Sequence, residues 1–212
     1  MCDVNAINER KNRPIDLLFH EKVAAASIDE LQELIRNGAD PCICIVLGGP
    51  HYIILGMYEY PIHCAACNPD INVLHLLISH GADPCCYNSE GEQPLAYAVG
   101  RNSLEVVKSL VELGNDPSNE GYEGASTLYH AALNPYLRVI EYLMSKGVAL
   151  DASSCAVYSE LWDALKVGNL VRAQFFLDHH ADIERLEDED DFPRTELPKQ
   201  SIVFLKEKGI FL

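Results

Sequence analysis

Basic residues are scarce in this sequence: 16 Lys and Arg stand against 32 Asp and Glu, a formal charge of −16. Such a chain repels phosphate backbones and anionic lipid surfaces, so nucleic acid and membrane are set aside as partners. A basic protein surface fits better. Long apolar runs are missing too. The longest uncharged stretch, Cys42 to Tyr58, is broken by Gly48, Gly49, Pro50 and Gly56, and makes a poor membrane span. The opening Met1-Cys2-Asp3 does not read as a secretory signal, and no Asn-x-Ser/Thr acceptor occurs.

The common catalytic signatures are also absent. There is no Gly-x-x-x-x-Gly-Lys to cradle a phosphate, no Gly-x-Gly-x-x-Gly, no His-Glu-x-x-His and no Gly-x-Ser-x-Gly. The chain is therefore read as non-enzymatic and without a cofactor. Cysteine is plentiful, with 8 residues, but the spacing does not resemble a small secreted disulfide framework. Reduced thiols in a cytoplasmic compartment are expected.

What the sequence does hold is a period. Gly-Ala-Asp occurs at Gly38–Asp40 and Gly81–Asp83, and Gly-Asn-Asp at Gly114–Asp116. Weaker forms follow at Gly147-Val148-Ala149 and His180-Ala181-Asp182. The starts at 38, 81, 114, 147 and 180 are separated by 43, 33, 33 and 33 residues. The first interval thus carries a ten-residue insertion. Before each marker lies an apolar pattern of helical period, such as Leu104, Val106, Val107, Leu110 and Val111. The glycine ends that helix in a left-handed conformation, and Pro41, Pro84 or Pro117 blocks continuation. A shorter helix precedes each, opening Tyr60-Pro61-Ile62-His63-Cys64-Ala65-Ala66, Gln93-Pro94-Leu95-Ala96-Tyr97-Ala98-Val99 or Ser126-Thr127-Leu128-Tyr129-His130-Ala131-Ala132.

These segments resemble the Thr-Pro-Leu-His-x-Ala-Ala and Gly-Ala-Asp signatures of ankyrin repeats. The resemblance implies an all-α repeat of helix-turn-helix plus β-hairpin units, an ankyrin-repeat solenoid of about five repeats with a C-terminal cap helix. One domain over 1–212 is expected: a leader at 1–11, repeats at about 12–44, 55–87, 88–120, 121–153 and 154–186, and a cap at 187–212. Helices are expected near Leu17–Ala25, Ile28–Asn37, Pro61–Asn68, Ile71–His80, Pro94–Arg101, Leu104–Leu113, Thr127–Asn134, Leu137–Lys146, Glu160–Val167, Leu170–His179 and Lys199–Lys208. Tyr60, Gln93 and Ser126 stand where the family prefers Thr, and Ala96 and Tyr129 where it prefers His. These swaps put the usual bonds between repeats in doubt at those places.

Two groups look like metal ligands. His63, Cys64 and Cys67 with Cys85 and Cys86 could suggest zinc, but their register places them in packed repeat positions, and they are read as structural thiols. Asp178-His179-His180-Asp182 is read as a helix end. No metal is expected. The acidic run Glu187–Asp191 is read as a solvated loop before the cap.

The insertion within 42–60 has two β-branched runs around Gly48-Gly49-Pro50 and reads as an elongated hairpin. The family geometry implies partner contacts on finger tips and on exposed helix positions of the concave face. Applied here, it names Tyr52, Met57, Tyr58, Glu59, Asn68, Glu90, Glu92, Arg101, Tyr122, Glu123, Asn134 and Tyr158. Aromatic anchors amid carboxylates suit a basic, partly apolar protein or peptide bound by a monomer. The alternative is the targeting domain of a bacterial effector or enzyme whose catalytic part lies outside this chain, which would place it in a host cytosol.

Overall fold

The structure is a computed structural model describing residues 13–46, 58–119, 127, 131, 137–148, 155–179 and 197–209. It divides into two compact units, Met1–His130 and Ala131–Leu212. The first unit contains α1 (Pro14–Val23), α2 (Ile28–Arg36), β1 (Ile45–Val46), β2 (Tyr58–Glu59), α3 (Pro61–Ala65), α4 (Ile71–Ser79), α5 (Pro94–Gly100) and α6 (Leu104–Glu112). The second contains α7 (Arg138–Ser145), α8 (Cys155–Lys166), α9 (Leu170–Asp178) and α10 (Lys199–Glu207). The all-α repeat class expected from the sequence is the one observed.

Local chemistry explains the helix boundaries. Pro14, Pro61 and Pro94 each open a helix, where a missing N–H costs nothing. Ser27, Asp70 and Asn169 cap others by accepting from the backbone N–H of Glu30, Asn72 and Arg172.

The recurring Gly-Ala-Asp turn has one mechanism three times over. Gly38, Gly81 and Gly114 take φ of 98°, 95° and 101°, a left-handed region that glycine enters cheaply. Ala39 and Ala82 are then buried. The aspartate closes a local turn: Asp40, Asp83 and Asp116 accept from the backbone N–H of Cys42, Cys85 and Ser118 at 2.9, 2.9 and 2.8 Å.

The third turn carries Asn115 in place of the buried alanine. Its amide is satisfied on both sides, with Oδ1 accepting from Leu95 N–H (3.2 Å) and Nδ2 donating to Pro84 O (2.9 Å). The doubt raised at Gln93 is likewise resolved. Gln93 donates to Cys85 O (3.2 Å) and accepts from Asp116 N–H (2.8 Å), bridging consecutive repeats in place of threonine. Within the first repeat Asp16 ties the turn back to α1, accepting from Asp40 N–H while paired to Arg13 at 2.6 Å.

The core of the first unit is a ladder of fully buried aliphatic and aromatic side chains, including Phe19, Leu31, Leu74, Leu77, Leu95 and Leu110. That of the second includes Ile140, Leu143, Leu161, Leu165 and Phe176. There the cap helix is tied on by Ser201, whose hydroxyl donates to Leu165 O at 2.6 Å.

Most expected helices stand within a residue or two of their predicted bounds; three depart further. The first begins at Pro14 rather than Leu17, because the proline sets its first turn. The expected Pro61–Asn68 helix ends at Ala65. The expected Glu160–Val167 helix begins at Cys155, since the segment holds no turn residue to delay it. The Thr127–Asn134 helix lies almost wholly outside the described residues.

Candidate partner-binding surface

The foot of the inserted finger is a short antiparallel pair in which Ile45 faces Glu59 and Val46 faces Tyr58. Residues 47–57, with Tyr52 and Met57, lie outside the described residues, as do Tyr122, Glu123 and Asn134. The foot is tied to the next hairpin: Tyr58 N–H donates to Ser89 Oγ, and Ser89 N–H donates to Tyr58 O, both at 3.1 Å.

That next hairpin is shaped by Asn88. Its side-chain oxygen accepts from the N–H of Glu90 and of Glu92, both at 2.9 Å. Gly91, with φ of 73°, completes the reversal. Glu90 and Glu92 are consequently held at a fixed, half-buried tip. Beside them Tyr87 is 50% exposed. Tyr87 is not among the contacts expected from the sequence; its place at the start of the hairpin, one residue before the Asn88 turn, is the signal for it. Arg101 is exposed at the end of α5. In the second unit Val167 and Val171 are 73% and 75% exposed at the α8–α9 turn.

Three expected surface positions require correction. Asn68 was expected to be exposed after the Ala-Ala pair. Because α3 stops at Ala65, the chain turns and Asn68 points inward, donating to Val23 O (2.8 Å) and Ala26 O (3.1 Å). Glu59 was expected at a finger tip, but is buried, paired with His20. Tyr158, also expected at a tip, falls within α8.

Glu59 belongs to a polar cluster that sequence reasoning did not assemble. His20 comes from α1, Glu59 from β2 and Cys64 from α3. His20 Nε2 lies 3.3 Å from Glu59 Oε2 and 3.5 Å from Cys64 Sγ. Their ligating atoms all fall within 4.8 Å of one another. Burial pushes the Glu59 carboxyl up, but the bond to His20, the nearby Tyr97 hydroxyl and the positive charge that His20 and His63 can carry outweigh it and hold the group below its ordinary value. Burial and the neighbouring carboxylate push the Cys64 thiol far up.

His63 sits against this cluster, fully buried. Its ring nitrogens face Tyr60 O at 3.3 Å and Glu92 O at 3.2 Å, so it spans from its own repeat to the next hairpin. Burial lowers its pKa, against the opposing pull of Glu59 and the two carbonyls.

The other thiols are spread out. Cys67 points at Tyr97 O (4.0 Å), Cys42 at His80 O and Cys85 at Leu113 O. None of Cys42, Cys44, Cys64, Cys67, Cys85 and Cys86 is held in a disulfide. Among the described residues, no helix is long and apolar enough to cross a membrane.

The family model for ankyrin repeats (3 copies) matches residues 20–121 and 62–154. No curated protein matches the chain.

Proposed function

Because the chain belongs to the ankyrin-repeat family, whose repeats generally serve as protein–protein interaction modules, we propose that it binds a basic, partly apolar protein or peptide through its hairpin tips. The observation that carries this reading is the second tip. There Asn88 fixes Glu90 and Glu92 at an accessible turn, and Tyr87 lies half-exposed beside them. A rigid aromatic flanked by carboxylates combines an apolar anchor with electrostatic steering. The overall charge of −16 extends the same attraction over the whole molecule. Tyr58, at the foot of the neighbouring finger, is tied to this tip and extends the contact. Arg101 supplies a cation for an acidic residue within an otherwise basic partner. Eight cysteines whose spacing is unlike a secreted disulfide framework fit a reducing, cytoplasmic setting.

The test is a display of peptides rich in Lys and Arg that carry one aromatic or aliphatic residue, against charge-reversed counterparts. Basic peptides should be selected. Tyr87→Ala should weaken the selected peptides, and Glu90→Lys/Glu92→Lys should weaken them further while removing much of the salt dependence. Unchanged affinity in both variants places the binding surface elsewhere.

A further inference from the structure

His20, Glu59 and Cys64 reach one point from three elements of the first unit, and neither their sequence separation nor the family signature brings them there. Nitrogen, oxygen and sulfur ligands of a tetrahedral zinc ion lie roughly 2.0–2.3 Å from the metal, so neighbouring ligands are about 3.4–3.6 Å apart. The observed separations are 3.3 Å between His20 and Glu59 and 3.5 Å between His20 and Cys64.

Hydrogen bonds alone leave the cluster incomplete. His20 Nε2 carries at most one proton, so it can donate to the carboxylate or accept from the Cys64 thiol but not both at once. Tyr97 is near enough to lower the carboxyl's pKa, yet no donor reaches Glu59 Oε1 in hydrogen-bond geometry. That oxygen is buried in a residue only 7% exposed. An unpaired buried carboxylate oxygen is costly, and a cation at the shared point removes the cost.

We propose that His20, Glu59 and Cys64 form a binding site for a divalent transition-metal ion of the zinc type. A neutral imidazole, a carboxylate and a thiolate together balance the charge of a divalent ion. On binding, the Cys64 S–H bond breaks, its proton leaves to solvent and the sulfur–metal bond forms, with no change of oxidation state. Three protein ligands leave one coordination position for water. The side chains of His20 and Glu59 retain 13% and 10% exposure, so solvent reaches the site. The ion would pin α1, the finger foot and α3 to one another.

The experiment titrates the chelator-stripped full chain with Zn²⁺ in competition with a chromophoric chelator, and repeats it with Co²⁺. One equivalent should bind, the melting temperature should rise, and the cobalt form should show a thiolate-to-cobalt charge-transfer band. Cys64→Ser and His20→Gln, both checked for native helicity, should each weaken binding by at least about tenfold, and Cys64→Ser should abolish the band. Cys67→Ser and Cys85→Ser should leave binding unchanged. Absence of binding overturns the proposal. So does binding that persists in both Cys64→Ser and His20→Gln, or that is lost equally on changing Cys67 or Cys85.

Discussion

The thiol of Cys85 donates to the carbonyl oxygen of Leu113 at 3.4 Å, closing the end of α6 from the preceding repeat. Cys42 makes the same bond to His80 O at 3.3 Å, closing α4. The last carbonyls of a helix have no partner within it, and here a thiol one repeat away supplies a donor. Cys85→Ala should therefore lower stability by about 0.5–1.5 kcal/mol, with Cys85→Ser retaining most of it, as read by urea denaturation.

The same placement governs reactivity. Burial, and then the carboxylate of Asp40 or Asp83, raises the pKa of Cys42 and Cys85 above the ordinary thiol value. A raised pKa leaves less thiolate at pH 8, and the thiolate is the nucleophile. Both residues should alkylate with iodoacetamide more slowly than a free cysteine peptide, resolved by peptide mass spectrometry. Faster alkylation would contradict the capping role.

Leu110 and Leu143 stand at matching places, each four residues before its marker glycine, and each is fully buried within its own unit. Leu→Ala at either should cost about 2–5 kcal/mol in denaturant unfolding. A loss under about 0.5 kcal/mol at both would mean the register is misassigned.

Asn115 gives a less obvious expectation. Alanine stands at this place in the two earlier turns, so Asn115→Ala looks like a return to pattern. The structure predicts the reverse. Removing the amide leaves Leu95 N–H and Pro84 O without their partner, and should cost about 1–3 kcal/mol. Thermal or urea unfolding of the single variant decides it.

These outcomes separate what local sequence encodes from what it does not. The turn at Gly38–Asp40 was legible because its glycine, its buried small residue and its aspartate act within a few residues of one another. The helix faces were legible because apolar period reports burial directly. Asn68 was not, since a helix that ends three residues early reverses which way the next side chain points. Glu59 was not, since its burial depends on His20, which only the folded chain brings alongside. Gln93 shows the same limit: it replaces a family threonine with a longer-range bond that no local pattern announces. The turn position of Glu90 and Glu92 was readable, whereas the exposure of Tyr87, which carries no family signature, was not.

The two-rung pairing of Ile45 with Glu59 and Val46 with Tyr58 closes the finger at its base. That base is itself held by the rest of the unit, through Tyr58 to Ser89 and Glu59 to His20. Closing a longer loop costs only slowly more as residues are added. The segment between Val46 and Tyr58 is therefore a natural grafting port. A foreign peptide spliced there would be presented with both ends anchored, and its length could be varied without disturbing the repeats that carry it.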